Sequence, residues 1–518
     1  MKDNKIAVEQ LSANQVVNLA LDTIKLGKQA LVFVNTRPSA EKNAEEIARE
    51  IKEKKQPMLA QKALKALSKP TKQCERLSKC IEKGIAFHHS GLVAEQRELI
   101  EDNFRAGSIK IICCTPSLAM GVDLPAYRAI IRDLRRYGNR GLDWIPVLEY
   151  LQFAGRAGRP KFDKEGQAII VVGSGVEKKE VHERYILGEP EEIYSKLAVE
   201  PVLRTYVLSL IATRFVRTKK ELVGFFEKTF WAHQFEEMNK LEAIIDKMLA
   251  LLEEWEFIKG SSNEFVSADE IGKDGELRAT VIGKRVAELY IDPLSAHQII
   301  RGMTKASGVG ANSFSLLQLI SSAGEMKPLL RVKTKEYEEV EAKIMEQGGR
   351  LLAREPSMFE EDYESFMNSV KTAMFFEEWI SEMDEEYLLE KYSIRPGEIR
   401  AKLLNADWLL YAASELSRLL EFRQMVGEIT KLRLRVKAGA KEELLPLLRF
   451  RNIGRVRARR LFNNRVRDIG DVKRADVSTL TQILGSGAVA LDLKKQVGEK
   501  VEVVKKGKRK GQMSVEKY

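Results

Sequence analysis

Short apolar runs alternate with longer amphipathic stretches over the first 185 residues. The runs are Gln29–Val34, Ile85–His88, Ile109–Cys114, Ala129–Arg132 and Ala168–Val172. Their length and their apolar, β-branched content predict buried strands. Helical stretches such as Ser39–Lys52 and Ala94–Phe104 lie between some of them. This alternation predicts a parallel sheet covered by helices over residues 1–185. Past 186 the strand signal nearly vanishes. Leu203–Thr213, Lys220–Trp231 and Met238–Glu254 carry helical periodicity, Phe257–Val266 reads as a small β-wing, and Leu277–Leu289 reads as a further helix. Three helices and a wing predict a winged helix over 186–290. Residues 291–436 predict almost continuous helix, broken at sites such as Pro396-Gly397. A basic helical unit over 437–500 and a basic tail over 501–518 follow. The expected fold class is α/β followed by mainly α.

Composition adds a partner to this picture. The 518 residues carry a formal net charge of +11, with 44% hydrophobic and 31% charged residues. The chain can build cores, and its basic excess suits a polyanion. The excess is concentrated: Arg449 to Arg474 holds ten Arg/Lys against two Asp. Cys74, Cys80, Cys113 and Cys114 show neither metal-ligand nor disulfide spacing, which predicts a reducing compartment. No apolar run reaches the roughly 18 residues of a membrane helix, and the polar opening Met1-Lys-Asp-Asn-Lys5 lacks the features of a signal peptide. The expected location is cytoplasmic, with no membrane partner.

Candidate chemistry gathers after the strands, where ligands of such sheets bind. Gln152-Phe-Ala-Gly-Arg156-Ala-Gly-Arg159 sets two guanidinium groups three residues apart among small residues. Such groups suit the γ-phosphate of a nucleotide, because the planar fork stays charged and binds phosphate oxygens in pairs. A surface salt-bridge cluster is the plainer reading. No G-x-x-x-x-G-K-[S/T] loop occurs in the chain, and Ile282-Gly-Lys-Arg285 is only a fragment of one. In Thr115-Pro-Ser-Leu-Ala-Met-Gly121-Val-Asp123, Thr115 can bond a nucleic-acid phosphate. Gly121 permits close backbone approach, and Asp123 can accept from a ribose hydroxyl or a water. Val32-Phe-Val-Asn35-Thr36-Arg37-Pro38-Ser39 puts polar residues and a helix cap at another strand end. Phe87-His88-His89-Ser90-Gly91-Leu92 ends a third, with His88 read as structural. Leu448–Phe462 reads as a helix-hairpin-helix around Ile453-Gly454-Arg455-Val456. Gly454, Arg455, Arg457, Arg459 and Arg460 are its candidate phosphate contacts, without base readout.

Four of these segments, VFVNTRPSAE, FHHSGL, TPSLAMGVDLP and QFAGRAGR, resemble in order and spacing motifs IV, IVa, V and VI of superfamily 2 helicases. The resemblance is to the archaeal DExH DNA helicases of the Holliday-junction-migration type, relatives of the polymerase theta helicase, and it covers nearly the whole chain. It implies a second RecA-like lobe, a winged helix, a helical ratchet domain and a helix-hairpin-helix unit. It implies ATP with magnesium as cofactor, the metal ligands lying on a first lobe whose phosphate loop and DExH box this chain lacks. Arg156 and Arg159 would act across the cleft between lobes, with Gly121, Asp123 and Gln152 at the nucleotide. Thr36, Arg37, His89 and Thr115 would contact nucleic acid.

Between motifs V and VI, Ile131–Pro146 has the composition of a hairpin, and the resemblance implies that it parts DNA strands. Tyr137 and Trp144 are candidate wedges, although a packed Trp144 in a surface hairpin is equally compatible with the residues. The ratchet helix would place Arg400 and Trp408 against single-stranded bases. Their spacing is eight residues, one more than the family's, with Ala401 at the family's position, and Trp408 among Leu404, Leu409 and Tyr411 also suits a core. The implied activity is 3′-to-5′ unwinding of forked or recombination DNA, with single-stranded and forked DNA as partners and no ATPase from this chain alone. A non-enzymatic DNA-binding module and an RNA helicase of the same superfamily are the alternatives. The end Gln512-Met-Ser-Val515-Glu-Lys-Tyr518 resembles a sliding-clamp peptide.

Overall fold

The computed structural model describes residues 6–67, 69–138, 141–158, 163, 165–197, 199–235, 238–260 and 276–499. Among them, β1 (Ala30–Phe33), β2 (Ile85–His88), β3 (Ile111–Cys114), β4 (Arg128–Ile131) and β7 (Gln167–Ile170) form a parallel sheet in the order β2-β3-β1-β4-β7. Ala30 lies opposite Ile111 on one side and Arg128 on the other. Every residue of β1 to β4 is buried. Helices cover both faces of a parallel sheet, which is why these strands are mostly apolar, with His88 and Arg128 as buried polar residues at the ends of β2 and β4. The expected strands all form, with boundaries shifted by at most two residues.

Two antiparallel strands stand apart from the sheet. β5 (Arg135–Gly138) and β6 (Gly141–Trp144) pair as a hairpin, Arg135 opposite Trp144. The helix Val147–Ala154 follows it. Phe153 on that helix stacks on Phe33 of β1, with centroids 4.5 Å apart, and so seats the helix on the sheet.

The helical reading needs two corrections beyond the sheet. Lys220–Trp231 is not one helix: Lys219–Phe226 stops, and Phe230–Phe235 begins anew. The Thr229 hydroxyl donates to the Phe226 carbonyl at 2.6 Å and closes the first helix. Leu277–Leu289 is also divided. Arg278–Ala279 pairs with Ile258–Lys259, and the helix starts at Val281, where Thr280 accepts from the Gly283 amide. Of the expected wing Phe257–Val266, residues 261–266 lie outside the described residues.

By its internal contacts the chain forms two compact units. One comprises residues 1–279 with 384–404, the other 280–383 with 405–518. Residues 384–404, expected within the helical region, therefore pack with the sheet-bearing unit. The second unit is helical, with Phe314, Leu317, Met367, Phe375 and Phe376 in its core. A separate apolar cluster at Leu444, Leu447, Ala458, Leu461, Leu480 and Leu493 organises its C-terminal part. There the arm before Gly454 is two 3₁₀ turns, Glu442–Leu444 and Leu447–Arg449, and the α-helix begins at Arg455. Pro446 between the turns lacks the amide that a continuous α-helix needs.

Candidate nucleic-acid and nucleotide site

A cleft of about 490 Å³ opens beyond the C-terminal ends of β1, β2 and β3. Polar residues, Asn35, Thr36, Arg37, Ser90, Thr115, Ser117 and Arg395, line it together with Pro38 and Pro116. Thr36 caps the helix Arg37–Glu50, its oxygen accepting from the Ser39 amide at 3.2 Å. That leaves the hydroxyl hydrogen free to donate, and Thr36 lines the cleft at the positive end of the helix. Thr115 and Ser117 exchange a hydrogen bond at 3.1 Å. The expected contacts Thr36, Arg37 and Thr115 are thus brought together. Asn35, Ser90, Ser117 and Arg395 join them.

Arg395 comes from far along the sequence, and a buried carboxylate holds it there. Glu41 lies 3.1 Å from Arg395 Nε, 2.6 Å from Arg76 Nη1 and 3.2 Å from His89 Nε2. Burial alone would raise the Glu41 pKa. The His89 imidazole and the Arg395 and Arg76 guanidiniums outweigh it and bring the group down to about 2. His89, fully buried, is pulled below the usual histidine range by that burial, and its Nδ1 accepts from the Gly91 amide at 3.1 Å. His89 was expected to touch nucleic acid. It is corrected here to a positioning residue, because a side chain with no exposed surface cannot reach a polymer in solvent. His88, read as structural, is buried and sits 2.9 Å from Glu101.

The same corner explains two glycines. The Gly397 amide donates to the Gly91 carbonyl at 3.0 Å. A Cβ on Gly397 would lie 2.3 Å from the Leu92 carbonyl oxygen, and one on Gly91 would lie 2.4 Å from Arg395 Cδ. Arg37 pairs with Glu398. Arg400 pairs with Glu95 at 2.6 Å on the exterior of the same unit.

On the neighbouring loops the motif V and motif VI segments are zipped together. The Ala126 amide donates to the Arg156 carbonyl at 2.9 Å, and the Gly158 amide to the Ala126 carbonyl at 2.6 Å. Gly158 has φ +97°, and a Cβ on Gly166 would lie 2.2 Å from the Gly158 nitrogen, so both positions require glycine. Arg156 donates to the Ala119 carbonyl and lies 3.8 Å from Asp123, whose side chain is almost wholly exposed. Gln152 is exposed one turn before it, and Gly121 has open space about its α-carbon. Arg159 lies outside the described residues. What is present fits a nucleotide phosphate from one side only: an arginine, an acceptor and an open backbone.

Comparison with known proteins adds weight to this geometry. Residues 12–161 match the helicase conserved C-terminal domain, and residues 314–439 match the archaeal helicase domain 4. The ATP-dependent DNA helicase Hel308 of Methanocella arvoryzae is 38% identical over 511 residues, covering 97% of this chain and 67% of that protein. Hel308 of Pyrococcus horikoshii is 38% identical over 507 residues, covering 96% and 68%. The chain belongs to the Hel308 family of archaeal superfamily 2 helicases.

The remaining candidates fall in varied settings. Tyr137 lies on β5, its side chain outside the described residues. Trp144 is half-buried, with the Arg135 guanidinium 3.8 Å over its ring and Tyr185 edge-on at 6.0 Å. Trp408 is half-buried, and its indole N–H donates to the Leu289 carbonyl at 2.9 Å. Arg459 holds Glu382 through two bonds of 2.8 and 2.6 Å and reaches Glu443 at 2.7 Å. Arg455 stacks over Trp379 at 4.4 Å, and Arg457 donates to the Asn452 carbonyl at 2.7 Å. Gly454 and Arg460 are exposed, and among the described residues the Arg460 side chain has no polar partner. Residues 501–518, with the clamp-like ending, lie outside the described residues. No helix among the described residues is long and apolar enough to cross a membrane.

Proposed function

We propose that this chain is the second RecA-like lobe and DNA-handling portion of an ATP-dependent helicase. It draws single-stranded DNA through the cleft beyond β1, β2 and β3 in the 3′-to-5′ sense and acts on forked or recombination DNA. The donor groups that line that cleft carry the reading. Hydroxyls of Thr36, Ser90, Thr115 and Ser117, the guanidiniums of Arg37 and Arg395, and a helix N-terminus are the donors that a phosphate backbone needs. They carry no base information.

In this reading Arg156 and Arg159 act on the γ-phosphate of ATP. ATP with magnesium supplies the energy, and its phosphate cradle and metal ligands come from another lobe. Gln152, Asp123 and Gly121 bound the nucleotide on this side. The winged helix spans 186–290, the ratchet domain 291–436 and the helix-hairpin-helix unit 437–500. The β5–β6 hairpin parts the strands, and the exposed Arg460 and Gly454 meet phosphates at the trailing end.

Fluorescence anisotropy tests the proposal. The chain should bind single-stranded and forked DNA more tightly than RNA of the same sequence, and Thr115→Ala together with Ser117→Ala should weaken binding. Equal affinity for RNA would favour an RNA helicase of the same superfamily. No effect of the double substitution would remove the cleft from the account.

A further inference from the structure

We propose that Arg136 and Glu149 are positioning residues that lock the β5–β6 hairpin to the helix Val147–Ala154, so that the hairpin moves with the loop carrying Arg156. The inference rests on the strand-parting role given to the hairpin above. Three sets of contacts meet at this joint. Arg136 on β5 places Nη1 3.0 and 2.9 Å from the two carboxylate oxygens of Glu149. Glu149 is only 5% exposed, whereas Arg136 is 48% exposed, so the pair is anchored on the helix side. A buried carboxylate stripped of its cation is strongly disfavoured, which makes the contact hard to open.

The second set is aromatic. Trp144 of β6 packs against Tyr185, and Tyr185 packs against Tyr150 of the helix at 5.1 Å. The buried Tyr185 hydroxyl donates to the Ile145 carbonyl at 2.8 Å, just past the end of β6. The third set fixes the helix itself: Glu191 accepts from the amides of Val147 and Leu148 at 2.7 and 3.3 Å. It thereby satisfies two of the orphan donors at the helix start.

A two-stranded ribbon has little stability of its own and takes its orientation from what it packs on. Here it packs on the first turns of the helix whose last turn carries Gln152 and whose end leads into Arg156. A shift of Arg156 toward a phosphate would therefore carry the hairpin with it, linking the nucleotide side of the lobe to the fork.

The test uses the full chain and a forked DNA with 2-aminopurine at the first paired position of the junction. Fluorescence at saturating protein reads junction opening per bound molecule. Fork affinity and melting temperature are measured alongside. Arg136→Ala should lower the opening signal by about threefold or more with fork affinity within about twofold of the parent, and Arg136→Lys should recover most of the signal because it restores the charge pair. If Arg136→Ala does not fold, Glu149→Gln takes its place with the same expectation. A variant that opens the junction as fully as the parent overturns the joint alone. A parent that binds the fork and leaves the junction closed overturns the strand-parting reading and the joint with it.

Discussion

Glu41 shows how one side chain organises the cleft without entering it. Its carboxylate gathers His89, Arg76 and Arg395 from three parts of the chain. The folded-state pKa of about 2 lies below the ordinary value of 4.5. The ionised form is therefore favoured by folding. That contribution is fully present above about pH 4.5 and is lost as pH falls toward 2. The shift corresponds to about 3 kcal/mol. Denaturant melts of the parent and Glu41→Gln between pH 7 and pH 3 should converge as the pH drops, and a constant gap across the range would contradict the assignment. Trp408 gives a second residue-level expectation. Half-buried and bonded to the Leu289 carbonyl, it should cost roughly 2 kcal/mol or more on substitution by alanine, below the range for a fully buried tryptophan. An unchanged melting temperature together with a tenfold loss of single-strand affinity would instead mark it as a base-stacking residue.

At the scale of elements, the basic helix Arg455–Asn463 divides its arginines between two tasks. Arg459 and Arg455 are engaged with Glu382 and Trp379, so their task is to dock the helix. Arg460, exposed, faces solvent. Arg459→Ala should lower the melting temperature and leave the salt dependence of DNA binding nearly unchanged. Arg460→Glu should weaken binding and flatten the slope of log affinity against log salt by about one. The reverse pattern would exchange their roles.

The sequence could not make this division, because a run of arginines looks uniform until the carboxylates that meet it are known. The sheet was legible for the opposite reason: short strands buried on both faces are mostly apolar, and Ile111–Cys114 can hardly be read otherwise. The Thr36 cap was legible because its mechanism is local. Arg395 and the Gly91–Gly397 contact were not, since no local pattern reports a pairing across three hundred residues. His89 misled because a histidine after a strand looks the same whether it faces solvent or, as here, a buried carboxylate.

At the scale of the whole molecule, the chain spans about two thirds of the length of the Hel308 proteins it matches. It contains no phosphate-loop sequence. The purified chain should therefore bind DNA and hydrolyse no ATP, and a DNA-stimulated ATPase lost on Arg159→Ala would contradict this. Joined to a nucleotide-binding lobe, Arg156→Ala should reduce turnover by about 10³-fold with DNA binding nearly unchanged, since such an arginine acts on charge in the transition state. An unaltered rate would give Arg156 another task.

The central claim is that single-stranded DNA lies in the cleft beyond β1, β2 and β3. Amide hydrogen exchange of the full chain with and without a single-stranded oligonucleotide addresses it most directly. The account predicts added protection across Asn35–Ser39 and Thr115–Ala119, at the two strand ends that line the cleft. Protection confined to Arg449–Arg474, with those two segments unchanged, would contradict it.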